Sequence, residues 1–129
     1  MKQVESKIQE AIIKYLNLAY PDTLYCASAG GLRTSFKQAI MMKRTGYMKG
    51  FPDIGIYEPR NVCDCLEKYH GLFIEVKTKT GRPSKSQLQW QIALRKRHYI
   101  AEIVYGFEEA KKVIDKYLKI NNDKKKNII

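Results

Sequence analysis

Leu72-Phe73-Ile74-Glu75-Val76-Lys77-Thr78 alternates two kinds of side chain. Leu72, Ile74 and Val76 fall on one side of an extended chain and Phe73, Glu75 and Lys77 on the other, because successive strand residues point to opposite faces. A β-strand follows, with an acid and a base side by side on one face.

The segments on either side take their places around this strand. Upstream, Asp53-Ile54-Gly55-Ile56-Tyr57 is short, β-rich and bounded by Pro52 and Pro59, as a strand should be. The connection from Glu58 to His70 has no helical pattern, so the two strands are expected to pair antiparallel. Downstream, Thr80-Gly81-Arg82-Pro83 makes a turn, and Ser84 with Gln87 three residues on is a capping-box signature. The helix it opens is read to His98, and it crosses over to a strand from Ile100 to Tyr105.

Farther out, Val4, Ile8, Ala11, Ile12, Tyr15 and Ala19 recur at helical spacing up to Tyr20-Pro21. Thr23 to Ser28 suits a short strand, and Ser35 to Arg44 a second helix closed by Thr45-Gly46. Gly106 precedes a last helix carrying Phe107, Ala110, Val113, Ile114 and Tyr117. The order αβαββαβα predicts an α/β domain, a mixed β-sheet flanked by helices. Residues 1–120 form one domain in this reading, and the basic residues 121–129 a disordered tail.

Composition agrees with one domain and narrows its partners. The 129 residues, 44% of them apolar, can close one core but not two. The expectation is a soluble, intracellular, cytoplasmic protein with no membrane span and no signal peptide. The net charge is +11, and removing the tail, with its three lysines and one aspartate, leaves +9. Such a basic body favours a polyanion as partner. Cys26, Cys63 and Cys65 are odd in number and lack zinc-site spacing, so free thiols are expected.

The acid and base of the 72–78 strand suit one chemistry in particular. Phosphodiester hydrolysis needs charge stabilisation on phosphoryl oxygens and an activated water, and a divalent cation supplies both. Mg²⁺ takes hard oxygen ligands, and few of them from protein. Asp53 and Glu75 on adjacent strands, with the Val76 backbone carbonyl between Glu75 and Lys77, form such a set. Lys77 would then orient the attacking water. Pro21-Asp22, Glu5-Ser6-Lys7 and Glu109-Ala110-Lys111 repeat the short patterns, but on helices or a helix end, where residues two apart diverge. The competing reading of Asp53, Glu75 and Lys77 is an exposed ion-pair ladder on the sheet. For Glu5 it is a first-turn acid favoured by the helix dipole, and for Gln87 a cap alone.

Gly30-Gly31-Leu32-Arg33, Ala39 with Met42-Lys43 and Gly46, Gly50-Phe51-Pro52-Asp53, Ile74-Glu75-Val76-Lys77 with Gly81, Ser84-Lys85-Ser86-Gln87 with Trp90, and Gly106-Phe107-Glu108-Glu109-Ala110 carry the matter further. In order and spacing, from Glu5 to about Tyr117, they resemble the VRR-NUC family of PD-(D/E)xK nucleases, especially its short standalone viral and phage members. The resemblance implies a restriction-endonuclease-like fold, dependence on Mg²⁺ or Mn²⁺, and cleavage of branched or junction DNA. It matches Asp53 and Glu75 to the metal ligands, Lys77 to the catalytic lysine and Gln87 to the glutamine of the following helix. Glu5 corresponds to the acid of the first helix, a candidate further metal ligand, and Arg33 to the basic residue after Gly-Gly. Ala29 replaces a common asparagine, the 58–70 connection is long, and His98 replaces a common glycine.

Arg33, Lys37, Lys43, Arg44 and Lys49 before the aspartate, and Lys79, Arg82 and Lys85 after the lysine, are the expected phosphate contacts of a DNA groove. The function expected is a Mg²⁺-dependent, structure-selective endonuclease, a Holliday junction resolvase. Symmetric cutting of a four-way junction needs two sites, hence a homodimer. The alternatives are a less selective or sequence-specific endonuclease, and an inactive DNA-binding module.

Overall fold

The computed structural model describes the backbone of residues 2–28, 35–62 and 67–126, and side chains within 4–119. The Gly30-Gly31-Leu32-Arg33 stretch, Cys63 and Cys65 lie outside the described residues.

Eight elements follow the expected order: α1 (Lys2–Ala19), β1 (Tyr25–Ala27), α2 (Phe36–Arg44), β2 (Ile54–Ile56), β3 (Leu72–Lys77), α3 (Lys85–Lys96), β4 (Ile100–Tyr105) and α4 (Phe107–Lys126). The sheet runs β1-β2-β3-β4. β1 and β2 pair antiparallel, as do β2 and β3, while β3 and β4 are parallel across α3.

Alternation along β3 separates two cores. Leu72, Ile74 and Val76 join Ile54, Ile56 and Val104 under α1 and α4, where Ile12, Leu16, Ile114 and Tyr117 close the main core. On the opposite face Phe73 packs with Ala101 and Leu94 of α3, flanked by Phe51, Trp90 and Tyr99. Every residue of β3 is buried, Glu75 and Lys77 included. That overturns the exposed ion-pair ladder, since buried charges are costly unless matched by other charge.

Local chemistry fixes the helix ends. Ser84 and Gln87 form the expected capping box, and Ser35 and Gln38 form a second at the start of α2. α4 continues to Lys126, past the start assigned to the tail, because residues 121–126 contain no proline or glycine to break it. His98 sits at φ +65°, the left-handed conformation that explains why a glycine can occupy this position. Its ring stacks on Tyr69 at 4.3 Å, which helps offset the strain. On β4, the sheet edge, the Ala101 carbonyl accepts two bonds from the Arg95 guanidinium.

Candidate active site

Where β2 begins and β3 ends, the register explains a cluster of polar groups. Ile54 pairs with Ile74. One step farther sets Asp53 opposite Glu75 on the same face, and a second step sets Pro52 opposite Val76. Proline has no N–H, so it cannot meet the Val76 carbonyl as a ladder partner would. The Val76 N–H donates instead to Asp53 Oδ2 at 2.7 Å. One bond thus ends the ladder, anchors the Asp53 carboxylate beside β3 and leaves a backbone oxygen next to it.

Asp53 and Glu75 line a cleft of about 420 Å³ together with Glu5, Lys77 and Gln87, while Val76 is not among its described lining residues. α1 supplies Glu5, whose Oε1 lies 4.0 Å from Lys77 Nζ. The sequence could only offer Glu5 as an acid on a distant helix; the fold turns it toward the lysine of β3. Gln87 caps α3, its Oε1 accepting from the Ser84 N–H at 2.8 Å, and also lines the cleft. Capping and a place in the site therefore do not exclude one another.

The cleft sets three acids, Glu5, Asp53 and Glu75, among three bases, Lys49, Lys77 and Arg82. Glu75 is only 3% exposed, and the pKa of its carboxyl is pushed well above the usual carboxylate range. Burial is the main cause, followed by the Asp53 carboxylate and, more weakly, Glu5; Lys77 pulls the other way. Tyr47, on the same wall, is raised by burial and then by Glu75 and Asp53. Two carboxylates beside a carbonyl without a ladder donor are hard oxygen groups of the kind a divalent cation takes.

The expected phosphate contacts divide. Lys49 and Arg82 line the cleft, whereas Lys37, Lys43, Arg44, Lys79 and Lys85 are exposed outside it. Arg33 lies outside the described residues. Sequence reasoning did not single out Ser28, Tyr47, Ser84 or Ser86 as cleft residues, because a cap or turn signal says nothing of which cavity a neutral side chain lines.

Gly50 holds two parts of the wall together. At φ +91°, a Cβ there would meet the Ser86 carbonyl carbon at 2.6 Å and the Gln87 nitrogen at 2.8 Å. The loop before Asp53 thus lies directly against the backbone of the first turn of α3. Gly50→Ala is expected to cost about 2–3 kcal/mol, from a side chain forced into a left-handed conformation and a backbone clash together. A urea midpoint within error of wild type would refute this.

A mixed four-stranded sheet between helices, gathering strand-borne carboxylates and a lysine at one end, is the framework of the restriction-endonuclease-like nucleases. The VRR-NUC domain model matches residues 4–108, and the chain belongs to that family. It is thereby a nuclease domain. Two solved structures share the fold. One, a VRR_NUC domain protein, is 24% identical with a TM-score of 0.71, the alignment covering 89% of this chain and 88% of the other. A second, a VRR_NUC domain, is 22% identical with a TM-score of 0.51, covering 84% and 95%. No curated protein matches. Among the described residues no helix is long and apolar enough to cross a membrane.

Proposed function

We propose that this nuclease domain is a Mg²⁺- or Mn²⁺-dependent, structure-selective DNA endonuclease, acting as a dimeric resolvase of four-way junctions. The observation that carries the reading is the meeting of Asp53, Glu75, Lys77 and Glu5 in one cleft on a strongly basic chain.

Asp53, Glu75 and the Val76 carbonyl would hold the cation. When bound, it stabilises charge on the phosphoryl oxygens and makes water a better nucleophile. Lys77, its ammonium steadied by Glu5, orients the attacking water and stabilises negative charge as the proton leaves. Arg82 and Lys49 meet neighbouring phosphates, and Gln87 offers its amide N–H groups to phosphate oxygens. Contacts of this kind follow the shape of the backbone rather than base sequence.

Support for the dimer comes from α2. No residue of this nine-residue helix is buried, and Phe36, Ile40 and Met41, with Met48 beyond it, expose apolar side chains. So short a helix has little stability without tertiary packing. A two-fold interface, in which the same patch meets itself, would cover it in a second copy.

Cleavage of junction, flap, single-stranded and linear duplex DNA in Mg²⁺, alongside sedimentation of the protein, tests both parts. Junctions should be cut at least about ten times faster than duplex, by a species of twice the chain mass. Equal rates on duplex and junction would end the resolvase reading, and a monomer at working concentration would end the dimer.

A further inference from the structure

The Ser28 side chain continues the row that Asp53 and Glu75 begin. β1 pairs with β2 through Ala27 and Ile54, and the next step is made by the Ser28 N–H donating to the Asp53 carbonyl at 2.8 Å. Cross-strand partners share a face, so Ser28, Asp53 and Glu75 stand abreast across three strands. All three line the same cleft.

The Ser28 hydroxyl is shut off from solvent and has no hydrogen-bond partner among the described residues. Leaving a buried hydroxyl unmatched is unfavourable, and an alanine would fill the strand end without that cost. A neutral oxygen beside two carboxylates has a use only if something enters the cleft to meet it.

We infer that Ser28 is a positioning residue of the cation site, its Oγ hydrogen-bonding the hydrated cation beside Asp53. This rests on the cation-dependent reading above, and deepens it by assigning a donor from β1, a strand that the Asp53, Glu75 and Lys77 pattern does not reach. A serine there adds an oxygen without adding charge, which suits a site already crowded with carboxylates.

Titrating the whole protein with Mn²⁺, followed by electron paramagnetic resonance, tests the assignment without relying on cleavage. Ser28→Ala should weaken Mn²⁺ binding about tenfold, the scale of losing a supporting contact at a metal site, while the melting temperature without metal stays level or rises. Ser28→Thr, which keeps a hydroxyl on the same Cβ, should bind Mn²⁺ close to the wild-type affinity. A purely structural role would not follow the hydroxyl in this way. Unaltered Mn²⁺ affinity in Ser28→Ala would overturn the assignment and leave the cation reading standing. Wild-type protein that binds no Mn²⁺ would overturn both.

Discussion

Replacing Lys77 with alanine is expected to lower the cleavage rate by about 10²–10³-fold or more, the cost of removing one preorganised stabilising group from an active site. Binding to the same DNA at the same salt should change by less than about threefold, since Lys77 is 8% exposed and contributes little to the outer phosphate surface. Because its stem is buried, alanine also removes packing. Lys77→Met keeps most of that volume and should be as inactive as the alanine variant but closer to wild type in stability. Lys77→Arg should not restore cutting, for a planar fork cannot take the place of a compact ammonium in a filled site. Single-turnover cleavage with excess protein separates the chemical step from binding. A Lys77→Ala variant that cuts within a few-fold of wild type would remove this residue from the mechanism.

Glu75→Gln should abolish cutting and, unlike most substitutions in a core strand, stabilise the metal-free protein at alkaline pH. Burial and the neighbouring Asp53 raise the Glu75 pKa in the fold, so the folded chain holds that proton more tightly than the unfolded one. The resulting stability is fully present below the ordinary value of 4.5 and is lost as pH rises through the higher folded value. Glutamine is neutral throughout and escapes the loss. At pH 8 without metal, the variant is expected to melt several degrees above wild type, equivalent to about 1–2 kcal/mol. Mg²⁺ should raise the wild-type melting temperature and leave the variant nearly unmoved, because binding to the native state stabilises only a protein that still has its ligand. A variant that melts lower than wild type at pH 8 would contradict the account of Glu75.

β3 was legible because period-two alternation is strong over six residues, and both of its consequences, two cores and an acid beside a base, appear in the fold. Ser84 with Gln87 was legible because a capping box has a fixed spacing. Burial of Glu75 and Lys77 was not, since alternation tells which face a residue shares but not what covers that face. The basic residues show the same limit. Their positions along the chain flank the site equally, yet among the described residues only Lys49 and Arg82 of that set turn into the cleft, as loop paths and helix rotation decide. The role of Pro52 also waited for the register, because the lack of an N–H matters only once Val76 is known to stand opposite.

The capping bond of Gln87 limits what that part of the cleft can recognise. The Ser84 N–H takes one lone pair of its carbonyl oxygen, so the –NH₂ group, a donor only, is the freer end of the side chain. Phosphate oxygens satisfy such a group at every nucleotide. The edge of a base, which mixes donors with acceptors, would satisfy it at some letters and not at others. A bond whose first duty is to start a helix thus also fixes which way this amide is turned.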